Sequence, residues 1–144
     1  MGKRDELVSR LALIMHDADR LEEFVVTHSN LPGPRGNLEL AFALAEIYGD
    51  LEVLLRWVDI SEEEAGVNDP RSFLAFCATV CLGKIYTKTK DLKLIRRLKE
   101  LANDGRWRMR EAVAFSVLEN RIFMSWKAFF RNGLRMPIIW MNLL

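Results

Sequence analysis

From Ser72 to Gly83 the chain carries no charged side chain, and Asp69-Pro70 stands just ahead of this run. An aspartate that can cap the first free backbone N–H groups, followed by proline in the first turn, is a strong helix start. A helix that is apolar on every side has to be surrounded by other protein. Twelve uncharged residues are too few to cross a bilayer, which takes roughly 18 or more, so no transmembrane span is expected. The constraint is therefore a central helix walled in by other parts of the same chain.

The chain has 144 residues, half of them apolar and 28% charged, the size and balance of one compact domain. Helical spacing recurs along it, and period-two alternation is never sustained. Leu7, Leu11 and Ile14 mark a first helix. Asp19 and Glu22 read as a capping box opening a second, which would bury Leu21, Phe24 and Val25. Pro32-Gly33-Pro34 breaks it. Asn37 caps a third helix with two apolar faces, and Asp50 opens a fourth with Leu51, Leu54, Leu55 and Val58 inward. After an acidic connector, Ser61–Asn68, comes the uncharged helix. Thr87-Lys88-Thr89-Lys90 reads as a loop. Asp91 opens a helix burying Leu92, Ile95, Leu98 and Ala102, and a last helix runs from about Arg106 to Asn120 after the turn Asn103-Asp104-Gly105.

These helices form a repeat. Leu40-Ala41-Phe42, Leu74-Ala75-Phe76 and Val113-Ala114-Phe115 recur 34 and then 39 residues apart. The helices group as an opening helix and three pairs: 19–28 with 37–48, 50–58 with 70–86, and 91–102 with 106–120. Two-helix units of this length that cannot bury their apolar faces alone are expected to stack as an α-solenoid. The competing reading is a plain helical bundle.

At Asp104-Gly105-Arg106-Trp107-Arg108-Met109-Arg110-Glu111-Ala112-Val113 the chain resembles the HEAT-repeat family. That resemblance implies an all-α superhelix of about three HEAT-like helix pairs. It implies that Asp104 and Arg110 are the turn acid and the helix base of a ladder between neighbouring repeats. The match is good over residues 91–120; over 19–86 it extends only to helix order and length. It departs at Gly105, where the family usually has proline. The implied function is a non-enzymatic module that presents a concave face to a macromolecular partner, with no cofactor.

Chemistry-bearing residues are sparse. Cys77 and Cys81 lie four apart on the uncharged helix with no further ligand at metal-site spacing, so they read as buried packing and no metal is expected. His16 and His28 stand alone. Glu62-Glu63-Glu64 cannot converge, because consecutive helical residues point in different directions. The most suggestive cluster is basic and surrounds an indole: Lys93, Arg96, Arg97, Arg106, Trp107 and Arg108, with Arg110 beside them. Guanidinium groups can meet phosphates while an indole stacks on a base, so nucleic acid stands as the alternative partner to protein. Glycosylases of the DNA alkylation repair branch are built from HEAT-like repeats and use an aspartate and tryptophans in a basic groove. Trp57, Asp59 and Trp107 offer those residue types.

Charge is polarised along the chain. Residues 1–83 hold 7 basic and 15 acidic side chains, and 84–110 hold 10 and 3, a pattern suited to an anionic partner or to head-to-tail association. Two cysteines make no disulfide framework, and the first residues fit neither a secretory signal nor a myristoylation signal, so a reducing cytoplasm is the expected compartment. Residues 1–120 are expected to form the repeat domain. Residues 121–144, hydrophobic and basic, form a separate C-terminal segment with three readings: a cap on the last repeat, a tail for a partner, a membrane surface or self-association, or a truncated or frame-shifted repeat.

Solenoid ends need covering, and Trp126, Phe129, Ile138, Ile139 and Trp140 are the candidates for doing so. Each large side chain buried in that way stabilises by about 1.5–3 kcal/mol. Deleting residues 121–144 is therefore expected to lower the thermal midpoint by several degrees and to promote aggregation, as read by calorimetry and light scattering. A truncated chain that is equally stable and more soluble would exclude the cap.

Overall fold

The computed structural model describes residues 2–122, 124 and 125, and among these every regular element is helical. The expected contributions of Trp126, Phe129, Ile138, Ile139 and Trp140 lie outside the described residues. Seven helices follow one another: α1 Lys3–Ile14, α2 Ala18–Thr27, α3 Leu38–Ile47, α4 Leu51–Val58, α5 Ser72–Thr89, α6 Leu92–Leu101 and α7 Trp107–Glu119.

Their starts follow the capping chemistry of the sequence. Asn37 Oδ1 accepts from the backbone N of Leu40, Asp50 Oδ1 from Val53 and Asp91 Oδ1 from Lys93. At α2 the cap is Asp17 and not Asp19: Asp17 Oδ1 accepts from the backbone N of Asp19 and Arg20. Asp17 has the extended backbone of a cap, which leaves Asp19 inside the first turn, where its charge still opposes the helix dipole favourably. The Asp69-Pro70 signal builds a turn just ahead of α5. Asp69 Oδ1 accepts from the Arg71 N–H, and Ser72 Oγ donates to the Asp69 carbonyl.

α5 also outruns its expected end. Thr87, Lys88 and Thr89 remain helical, and the chain turns only at Lys90, whose φ of 55° is left-handed while its N–H still bonds to the Tyr86 carbonyl. The last turn keeps Tyr86 buried and places Lys88 at the negative end of the helix dipole.

Every residue from Ser72 to Gly83 is buried, the same span that lacks charge. α5 packs against α2, α3, α4, α6 and α7, and its longest contacts are with α3, α4 and α7. The three helices that carry the recurring motif therefore lie side by side in the order α3, α5, α7. The first unit is joined differently from its expected pairing: α3 packs chiefly against α1 and α5, and α2 against α5 and α1. The connector through Pro32 and Pro34 carries α2 away from α3, and its turn is tied by Asn37 Nδ2 donating to the His28 carbonyl and by Ser29 Oγ accepting from the Leu31 N–H.

Two polar groups inside this core are satisfied locally, as burial demands. Thr79 Oγ1 donates to the Ala75 carbonyl, and Ser116 Oγ donates across the α5–α7 contact to the Val80 carbonyl. That contact is close because of Gly83. A Cβ there would collide with Ser116 Oγ and stand 2.8 Å from the Ser116 carbonyl oxygen. Forcing two packed helices apart costs about 1–3 kcal/mol, more than the few tenths that Val gains over Gly in helix propensity. Gly83→Val is expected to lower the thermal midpoint by several degrees. Gly49→Ala, where nothing lies within 4 Å of an added Cβ, is expected to be near neutral in the same melt.

Candidate functional site

The basic cluster divides into an internal part and an exposed part. Arg106, just before α7, is only 2% exposed. Its Nε and Nη2 donate to the two carboxylate oxygens of Asp104, its Nη1 donates to the Ala65 carbonyl and its Nη2 also to the Ile60 carbonyl. It thus ties Ile60, just ahead of the acidic connector between α4 and α5, and Ala65 within that connector to the start of α7, inside the protein, where no phosphate would meet it. Burial alone would raise the pKa of Asp104, but the hydrogen bonds and charge of Arg106, with Arg110 behind it, hold the carboxyl below its ordinary range.

Arg110 turns back on its own turn, its Nη1 donating to the Asp104 and Gly105 carbonyls. The bonds that cross from this turn to the neighbouring unit come from Arg106. At Gly105, an added Cβ would meet only the exposed Glu62 carboxylate of that same connector, a flexible side-chain end that can move aside.

Arg97 lies on α6 between two acids, Asp59 at 3.0 Å and Glu100 at 2.9 Å, and its Nη2 also donates to the Val58 carbonyl. Asp59 is therefore a surface partner of an arginine. Trp57 is inside the core, stacked near Tyr48 with ring centroids 6.2 Å apart, so Trp57, Asp59 and Trp107 do not converge on one groove. Lys93 and Arg96 remain exposed on α6. Cys77 and Cys81 are buried with their thiols pushed up by burial, Cys81 to about 12, which suppresses the thiolate that nucleophilic or metal chemistry requires. Among the described residues no group of three or more His, Cys, Asp or Glu side chains is gathered as a metal ion would need, and no helix is long and apolar enough to cross a membrane.

Trp107 and Arg108 build a different feature. Trp107 opens α7 at 45% exposure, with the Arg108 guanidinium 4.4 Å from its ring centre. Arg108 is 6% exposed, and its Nη2 donates to the Gly33 carbonyl at 2.7 Å and to Asn68 Oδ1 at 3.3 Å. Between α7 and the start of α3 lies a cleft of about 320 Å³, walled by Arg35, Leu38, Trp107, Arg108, Glu111 and Phe115. Phe115 is fixed there edge-on against Phe42 at 5.4 Å. The wall combines aromatic and aliphatic surface with two cations and one carboxylate, which suits it for binding a ligand of mixed polarity.

The sequence places Phe115 in the recurring motif and Glu111 in the HEAT-like stretch, but marks none of Arg35, Leu38, Glu111 and Phe115 as a binding residue. Arg35 and Trp107 are 72 positions apart, and no spacing rule connects them; the sole local signal is a proline-broken connector ending in arginine.

Replacing Arg106 leaves Asp104 and two carbonyl groups without their partner. Arg106→Met is expected to destabilise by about 3–5 kcal/mol, read by denaturant unfolding. The pH dependence follows from the depressed pKa of Asp104. Its contribution is present at pH values above the unfolded-state carboxylate pKa and is lost as pH falls through the lower, folded-state value. The acid limb of the stability profile is accordingly expected to flatten in Arg106→Met relative to the parent chain.

Comparison with family models, curated proteins and solved structures finds no significant match to this chain.

Proposed function

We propose that the chain is a non-enzymatic helical-repeat module of HEAT-like, solenoidal character that binds a protein partner. Support for the repeat comes from the side-by-side order of α3, α5 and α7, which carry the same three-residue motif at spacings of 34 and 39 residues. The observation that carries the binding role is Trp107, half exposed on a cleft whose apolar lining includes Leu38 and Phe115. A tryptophan held at the rim of a preformed pocket is the residue type that most often dominates a protein–protein contact. The arginines that made nucleic acid attractive are largely engaged within the fold: Arg106 and Arg97 pair with acids, and Arg108 and Arg110 bond to backbone carbonyls. Lys93 and Arg96, exposed on α6, are what supports the nucleic-acid alternative.

One comparison tests both. Tagged parent chain and Trp107→Ala are used to recover partners from an extract, the recovered protein is purified, and its affinity for each is measured. Trp107→Ala is expected to weaken the complex by about 2 kcal/mol or more, roughly thirtyfold. Equal affinity would overturn the reading of the cleft. In parallel, short duplex and single-stranded DNA at low salt are expected not to bind. Binding with a steep salt dependence that Lys93→Ala with Arg96→Ala reduces would establish the alternative.

A further inference from the structure

Arg108 is a cation taken out of water, and among the described residues no anion balances it. Its two hydrogen-bond partners, the Gly33 carbonyl and the Asn68 amide oxygen, are neutral, and so is the indole against which it lies. Its Nε is buried, with no hydrogen-bond partner among the described residues. Among the described residues no carboxylate comes within 4.0 Å of the guanidinium. A buried charge in this state is costly, and an incoming carboxylate would offset that cost with charge-assisted hydrogen bonds. The same cleft holds a second cation, the exposed Arg35, for which no acid partner lies within ion-pair distance among the described residues.

We infer that the cleft between α3 and α7 binds an acidic peptide segment, with a carboxylate side chain received between Arg35 and Arg108 and its apolar neighbours laid against Trp107, Leu38 and Phe115. Glu111 decides between an acidic peptide and a phosphate chain. Glu111 lines the same wall, and its negative charge there disfavours a ligand that brings a negative charge at every unit more than one with neutral residues beside its carboxylates. This inference rests on the cleft being the protein-binding surface and adds the chemistry of what it takes.

The test uses the full chain and two capped peptides, acetyl-Ala-Leu-Asp-Glu-Leu-Ala-amide and its uncharged counterpart with Asn-Gln at the centre. Binding is read by calorimetry and by NMR of the Trp107 indole and the Arg108 guanidinium. The acidic peptide is expected to bind about tenfold or more tightly than the uncharged one, and to shift both sets of signals. Arg35→Gln, a surface change that leaves the fold intact, is expected to remove most of that preference. Arg108→Lys, which keeps the charge and loses the guanidinium fork, is expected to lower the ratio of acidic-peptide to uncharged-peptide affinity. Equal binding of the two peptides would overturn the carboxylate site while leaving a protein-binding cleft in place. A preference that persists in both variants would place the anion elsewhere and overturn the inference. Binding of neither peptide, or tighter binding of inorganic phosphate or a short oligothymidylate than of the acidic peptide, would also overturn it. Failure of the broader reading is separately visible, as a partner complex indifferent to Trp107→Ala.

Discussion

Enclosure of α5 is the constraint on which the rest of this structure depends. A helix buried along twelve consecutive residues removes a large apolar surface from water, and it can do so only if helices cover it on every side. α3 and α7 flank it, α4 and α6 cover it further along the chain, and α2 adds a smaller contact. The demand passes to its neighbours: α7 needs Gly83 to come close enough for Ser116 to reach the Val80 carbonyl. It also settles the fate of the two cysteines, which act as small apolar groups with suppressed ionisation.

The second organising feature is the entry to α7, where two adjacent stretches of connector meet the same short run of arginines. Arg106 holds Ile60 and Ala65, and Arg108 holds Gly33 and Asn68. Guanidinium groups suit this work because one planar fork can satisfy several carbonyl oxygens that would otherwise be stranded beneath a loop. Arg106 is balanced by Asp104 and is a structural clamp. Arg108 lies two residues further on, has no such acid among the described residues, and borders a cleft. Both arginines tie connectors to α7, and they differ in whether an acid compensates the charge.

Particular residues show why the site was less legible than the fold. The basic run around Trp107 stands out in the sequence as one cluster, yet it splits by burial, because neighbouring positions at a helix start point in different directions. Arg106 faces the acidic connector and Trp107 faces outward. Apart from Asp104, the hydrogen-bond partners of the Arg106 and Arg108 guanidinium groups come from 40 to 75 positions away, as Asn68 and Gly33 do for Arg108. Spacing along a chain carries no information about such contacts. Trp57 illustrates the same limit: it has the residue type of a groove-lining aromatic and lies in the core.

What the sequence by itself determined is local and periodic. The absence of charge from Ser72 to Gly83 marks the helix that is buried, since an unpaired charge there would have to be desolvated. The caps Asn37, Asp50 and Asp91 mark helix starts, because each offers an oxygen to backbone N–H groups two or three residues on. Tertiary structure alone decided that α3 packs chiefly on α1 and α5, that Arg106 lies inside, and that Arg35 meets Arg108 across one cleft. The physical reason is one of range. Capping and amphipathic burial act within a turn or two of helix, whereas a guanidinium acquires its role from whichever carbonyl, acid or ring the packed helices bring within about 3–4 Å of it.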